Sequence, residues 1–275
     1  MVRHWLIALL ALAPSATAQN PEFDIWISGG RIVDGTGGQW YIGDIGIRGD
    51  TIAYVGPNRP ATAKLRVDAR GRTVTPGFID THSHGRRGVF EVPSAENQIR
   101  QGVTSILEGP DGSSPWPVGE YLTRFAKVPA TTNFGLLVGQ GTIREKVVGL
   151  QDRKATPEEI ATMRDMVRQA MREGAFGIST GLFYLPGSFT PTEELIELAR
   201  VAGEMGGVYT SHMRDEASKI VDSVKELIRI GEEGRIPAQI THHKVMSGRN
   251  WGLSTETLRL VEEARRRGVD VTIDQ

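Results

Sequence analysis

The sequence predicts an α/β protein, an incomplete (β/α)8 barrel of about seven strands preceded by a small all-β portion. From Phe23 to Val74, short alternating apolar segments are broken by turn residues, as in FDIWISGGRIVDGTGG, DIGIRGDTIAYVG and LRVDARGRTV. From Pro76 onward, short apolar strands alternate with helix-length amphipathic segments, the rhythm of βα units around a parallel sheet. The strands number about seven, where a closed barrel has eight.

In chain order the barrel strands are PGFIDTH, GVTSILE, FGLLVG, GAFGIST, GGVYTSH, PAQITHH and VDVTID, with helices predicted over 157–173, 191–205, 216–231 and 254–267. Thr156-Pro157-Glu158-Glu159 and Thr190-Pro191-Thr192-Glu193 each place a capping hydroxyl ahead of a first-turn proline and acidic residues. Residues 1–18 combine a short basic start, an apolar run from Trp5 to Ala13, a Pro14 break and the small triplet Ala16-Thr17-Ala18, which predicts a cleaved secretory signal. The apolar run is short of the roughly 20 residues that span a bilayer, so the mature chain is expected to be secreted or periplasmic, without a membrane partner. The expected organisation is a signal over 1–18, the β portion over 19–75 and a partial barrel over 76–275. A barrel alone takes about 250 residues, so a longer ancestor that has lost its C-terminal part is expected, with strand edges and apolar surface that favour aggregation.

The 275 residues are 39% hydrophobic and 24% charged, with a net charge of -1. That balance excludes a disordered chain and gives no basis for nucleic-acid binding. The chain has no cysteine. Any metal must therefore be held by histidine, a carboxylate or a modified lysine.

Of six histidines, His4 lies in the signal and the other five, His82, His84, His212, His242 and His243, sit at predicted strand ends. In a barrel those ends converge on the face where catalytic groups collect. One histidine alone would more often be a hydrogen-bonded or surface residue. Imidazoles at the ends of strands one, five and six can instead converge on one cation. His82 and His84 share strand parity, and Gly85 lets the chain turn away after them. On the sixth strand, parity leaves His243 open beside His242, because Gln239, Thr241 and His243 form the more polar face. Ser179 and the glycines of GISTGLFYLPGSF match neither a nucleophile elbow nor a phosphate loop and are expected to shape the loop after strand four.

Together, GGRIVDGTG, TVTPGFIDTHSHG, GVTSILEGPDGSS, GAFGISTGLFYLPGSF, YTSHMRDE and ITHHK closely resemble the amidohydrolase superfamily, in particular its N-acyl-D-amino-acid deacylase (D-aminoacylase) branch, over Phe23 to Gln275. The resemblance implies a metal-dependent hydrolase TIM barrel with a small N-terminal β-sandwich portion, holding one or two Zn2+ ions. It implies metal ligands at His82, His84, His212 and His242. Where the family often has cysteine this chain has Asp111, with Glu108 one turn earlier as the alternative. Lys244 matches the family lysine that binds the substrate's α-carboxylate. Tyr184 and Arg214 are further candidates for that pocket, although Tyr184 can also simply pack and Arg214 can pair with Asp215 or Glu216.

The implied reaction is hydrolysis of the amide of a small-molecule N-acyl-D-amino acid, in which the cation activates water and polarises the carbonyl. The family's general base is an aspartate at the end of strand eight, which this chain lacks. Asp274 ends strand seven, one βα unit too early, so no catalytic residue is assigned and low or no activity is expected of the chain alone. An isoaspartyl-dipeptidase-like or cyclic-amidase activity is the alternative within the superfamily, and a non-catalytic metal-binding remnant the alternative outside enzymes.

Overall fold

The computed structural model describes residues 20–275, and the signal expected over 1–18 lies outside them. The chain divides into two compact units, Met1–Pro76 and Gly77–Gln275. The first holds one five-stranded sheet of β1 (Phe23–Ile32), β2 (Tyr41–Arg48), β3 (Thr51–Gly56), β4 (Ala63–Asp68) and β5 (Thr73–Val74). β1 pairs antiparallel with β2 and parallel with β4 and β5. Trp26 on β1 is fully buried, its ring 5.0 Å from Phe23 and stacked 5.4 Å from Tyr54. The β1–β2 register slips between Ile27 and Gly30, and the buried Asp44 carboxylate takes the Gly29 N–H at 2.8 Å. The Gly29 donor that the slip takes out of the β2 register is thus met by a side chain.

The second unit is built on a seven-stranded sheet. In chain order it comprises β6 (Phe78–Asp80), α1 (Glu96–Ile99), β7 (Val103–Glu108), α2 (Val118–Phe125), β8 (Asn133–Gly139), α3 (Gln140–Val147), α4 (Pro157–Arg172), β9 (Gly177–Gly181), α5 (Thr192–Glu204), β10 (Val208–His212), α6 (Ile220–Gly234), β11 (Ala238–Ile240), α7 (Leu253–Arg266) and β12 (Val271–Ile273). The strands lie in sequence order from β6 to β12, and every neighbouring pair is parallel. That order without reversal is the wall of a barrel, not a doubly wound sheet, whose order reverses at a switch point. All seven predicted strands are present. Between sheet and helices, Leu136, Val138, Ile178, Tyr209 and Ile240 pack in the cluster that includes Val167, Leu198, Val224, Leu227 and Val261. Each such side chain contributes about 1.5–3 kcal/mol when fully buried.

Of the two helix starts marked by a capping hydroxyl, one follows its local signature and one does not. Thr156 accepts from Glu159 N at 3.2 Å while Glu159 returns a carboxylate oxygen to Thr156 N at 2.8 Å, the reciprocal cap its sequence predicts. Thr190 does not cap α5. Its hydroxyl accepts from the Gln140 amide at 3.1 Å, and Pro191 occupies the cap position without a side-chain bond. The first-turn Glu194 turns inward instead, to the Arg144 guanidinium on α3 at 2.5 Å, both side chains being buried. α6 begins at Ile220, later than predicted, because the Asp215 carboxylate takes Ala217 N and Lys219 N and closes a turn first.

Arg144 also donates to Arg153 O at 2.6 Å, so removing Glu194 would strand a buried cation tied to two elements. Glu194→Ala is expected to cost about 3–5 kcal/mol in urea unfolding, and Arg144→Met with Glu194→Leu distinctly less. A loss under about 1 kcal/mol for Glu194→Ala would show that water reaches the pair. β6, at one end of the strand order, leaves Phe78 56% and Ile79 67% exposed. The 275-residue chain is therefore expected to self-associate in light scattering after gel filtration, an outcome that a monodisperse monomer would contradict.

Candidate metal centre

The first histidine pair follows β6. His82 N takes the Asp80 carboxylate at 3.0 Å and Ser83 N takes Leu107 O on β7 at 3.1 Å, which ties the bend to the neighbouring strand. Gly85 N then donates to Glu108 Oε1 at 2.5 Å. Glu108 is fully buried, and burial pushes its carboxyl up. It thus anchors the turn after the pair, while Asp111 is the carboxylate that reaches the histidines.

Asp111 sits on a left-handed turn, with a φ of 55°, between Gly109 and Gly112. Ser179 clasps this turn, donating to Gly109 O at 2.5 Å and accepting from Gly112 N at 3.1 Å. The turn also lies so close to β9 that a Cβ on Gly112 would stand 2.7 Å from Gly181 N. The expected loop-shaping role of Ser179 therefore takes a specific form: it holds the Asp111 turn.

Asp111 Oδ2 lies 3.4 Å from His82 Nε2 and 3.2 Å from His84 Nε2. Oδ1 lies 3.9 Å from His212 Nδ1 and 3.8 Å from His242 Nε2. The rings of His82 and His84, His82 and His242, and His212 and His242 stand 5.2, 4.9 and 4.5 Å apart. Two ligand groups result, His82–His84–Asp111 and Asp111–His212–His242, each with its ligand atoms within 4.8 Å of one another. Ligands about 2 Å from a tetrahedral zinc stand about 3.3 Å apart, which the first group matches and the second approaches. Asp111 Oδ1 and His82 Nδ1 are buried with no hydrogen-bond partner among the described residues. Buried polar atoms are seldom left so, and a cation between imidazoles and a carboxylate would satisfy Asp111 Oδ1. The donor set fits a divalent metal.

Charges in the cluster shape one another. Burial pushes the Asp111 carboxyl up, but His242 and His82 beside it outweigh burial and hold it well below the usual carboxylate range. The Asp111 and Glu216 carboxylates push His242 up to about 9, whereas burial draws His212 down.

His242 was not separable from His243 by strand parity. β11 stops at Ile240, and His242 lies beyond it with a φ of 36°, a left-handed conformation that turns its ring out of the strand's alternation. Asp274 holds it there, accepting from His242 N and from the Gln239 amide. His243 is buried elsewhere, its Nε2 3.0 Å from Thr257 Oγ1.

Of the candidate substrate groups, Tyr184 reaches the centre, its hydroxyl 3.5 Å from His212 Nδ1. Lys244 is half exposed, its ammonium 2.6 Å from Glu216 Oε2. Arg214 spends its guanidinium on the Glu226 carboxylate, Ser188 O and Thr190 O, so neither Asp215 nor Glu216 is its partner. Sequence reasoning missed Glu216, Asp274 and Gln239 as supports. Only Glu216 carried a signal: it lies four residues after His212.

A cavity of about 400 Å³, lined by His84, Arg86, Asp111, Thr142, Tyr184 and Pro186 among others, opens beside the centre. Among the described residues no helix is long and apolar enough to cross a membrane.

No protein-family model matches the chain. It is 40% identical over 280 residues to the D-aminoacylase of Alcaligenes xylosoxydans xylosoxydans, an alignment that covers 94% of this chain and 58% of that protein. Two solved D-aminoacylase structures, one described as defining a subset of amidohydrolases and one by its binuclear metal centre, superpose with a TM-score of 0.85 at 38% identity, over 92% of this chain and 58% of each. The N-acyl-D-glutamate deacylase of Bordetella bronchiseptica, solved with zinc and a phosphonate inhibitor, gives a TM-score of 0.85 at 34% identity over the same shares. The chain thus spans a little under three fifths of these relatives. Over the part they share, the chain is similar in sequence and in fold to D-aminoacylase and N-acyl-D-glutamate deacylase.

Proposed function

We propose that this chain carries the metal-holding part of a zinc-dependent N-acyl-D-amino-acid deacylase, with His82, His84, Asp111, His212 and His242 as ligands. The observation that carries the proposal is Asp111 facing two histidines through each of its carboxylate oxygens. When bound there, zinc would supply Lewis-acid polarisation of the amide carbonyl and an activated water. The zinc-bound relative and the binuclear relative support one or two ions.

The cavity beside His84 and Asp111 lies within the roughly 300–1,000 Å³ range of small-ligand pockets and is the proposed seat of the substrate. Burial, together with the Asp111 and Glu216 charges, raises the Tyr184 phenol, and its protonated hydroxyl is a donor into that cavity. Lys244, its ammonium 3.0 Å from His242 Nδ1, is proposed to steer the substrate's α-carboxylate, sharing its charge with Glu216. Arg214 commits four of its five N–H donors to Glu226, Ser188 O and Thr190 O and serves to brace the segment after β10. Export to the periplasm is proposed from the signal-like pattern of residues 1–18 alone.

Zinc titration of the chain is expected to show one or two bound ions, and Asp111→Ala to weaken binding by about 100-fold or more, since it removes a ligand common to both groups. Folded wild-type chain without zinc affinity would sink the proposal. A form extended over the full length of its relatives should hydrolyse N-acetyl-D-amino acids in preference to the L-isomers. Equal turnover of the two would overturn the substrate assignment.

A further inference from the structure

We infer that Glu216 is a positioning residue that fixes which nitrogen of His242 is turned toward the metal. The inference rests on the zinc reading above. Glu216 lies in the segment between β10 and α6, and its side chain is only 5% exposed. Bonds from each of its residues hold that segment. Arg214 pairs with Glu226 on α6, Asp215 N donates to Ser223 Oγ at 2.9 Å, and Glu216 O accepts from Met246 N at 2.7 Å. The Glu216 carboxylate thus enters the cluster from a fixed backbone, on the side of the two rings away from Asp111.

Its oxygens divide between the rings. Oε1 lies 3.1 Å from His242 Nδ1, and Oε2 lies 3.9 Å from His212 Nε2. The opposite nitrogens, His242 Nε2 and His212 Nδ1, are the ones that face Asp111. A neutral imidazole has one N–H and one lone pair. When Nδ1–H of His242 donates to Glu216, the lone pair is left on Nε2, where a cation between the ring and Asp111 would need it.

Lys244 sharpens the point. Its ammonium stands 3.0 Å from the same Nδ1, and an ammonium can only donate. If Lys244 donated to Nδ1, the ring proton would sit on Nε2 and His242 would offer the cation nothing. Glu216 averts this by holding the Lys244 ammonium at 2.6 and 2.7 Å from its two oxygens while also accepting from Nδ1. A carboxylate behind a ligating histidine has this orienting effect generally, and its loss costs about 10- to 100-fold in metal affinity.

The test is zinc affinity, measured by competition with a chromophoric chelator on wild type, Glu216→Ala and Glu216→Gln, with the fold of each checked by circular dichroism. Glu216→Ala is expected to bind zinc about 10- to 100-fold more weakly, and Glu216→Gln, whose amide oxygen still accepts from Nδ1–H, to fall between it and wild type. In parallel, 15N NMR of the zinc-loaded wild type should show His242 with a protonated Nδ1 and a metal-shifted Nε2. A folded Glu216→Ala chain with wild-type affinity, even one less heat-stable, would overturn the inference. So would Nδ1 ligation by His242. Should the alanine variant not fold, Glu216→Gln with unchanged affinity and an unchanged Nδ1–H resonance overturns it equally. Wild-type chain that binds no zinc removes the underlying reading, an outcome distinct from zinc binding that ignores Glu216.

Discussion

The cluster depends on one carboxylate held at a fixed point above the ends of the strands. Asp111 faces four imidazoles from three places in the chain, and none of those places is adjacent to its own. The turn that carries it must therefore be stiff. Ser179 closes both ends of the turn from β9, and the close approach of Gly112 to Gly181 leaves no room for a side chain between them. A residue with positive φ at Asp111 is tolerable because a short polar side chain visits that region more readily than a branched one. The same logic recurs at His242, where Asp274 bonds the backbone of a residue whose left-handed conformation has a steric cost. Both unusual backbones lie at the centre, and side-chain to backbone bonds hold them.

Much of this organisation was legible in the sequence because it follows from local patterns. The seven parallel strands read as apolar runs at βα spacing. His82 and His84 read as a pair because they are two residues apart beside a turn glycine. The Thr156 cap read correctly because its partners are three residues apart. Thr190 carries the same local signature, but its hydroxyl is drawn to Gln140, fifty residues away, and no local pattern encodes that. Strand parity could not separate His242 from His243 for a related reason. Strand parity presumes that the strand continues, whereas β11 ends at Ile240 and the chain then changes hand. Helices α2 and α3, each of eight residues, are too short to give a helical period that stands out from loop.

The segment HMRDE shows how neighbouring charges divide unlike tasks. His212 ends β10 and faces Asp111. Arg214 turns away to Glu226 and two carbonyls, Asp215 closes the turn before α6, and Glu216 turns back to the histidines. Read as charge alone, Arg214 and Glu216 would pair with each other. The fold separates them because Arg214 gains a bidentate partner on α6, and so Glu216 is left to meet His242 and Lys244.

The same geometry explains how one carboxylate can serve both histidine groups. A thiolate would have to meet both histidine groups through one atom. Asp111 instead offers a separate oxygen to each, Oδ2 to His82 and His84 and Oδ1 to His212 and His242. The spacing is tighter on the Oδ2 side, at 3.2 and 3.4 Å, than on the Oδ1 side, at 3.8 and 3.9 Å. The first matches ligands drawn around a zinc-sized ion, and the second leaves a wider gap. Two positions sharing one carboxylate are therefore unequal, with the His82 and His84 side the more nearly preformed. Such inequality follows from how each side is held. The first pair is fixed by the bend that Glu108 anchors, whereas the second rests on the longer reach from β10 and β11 that Glu216 spans.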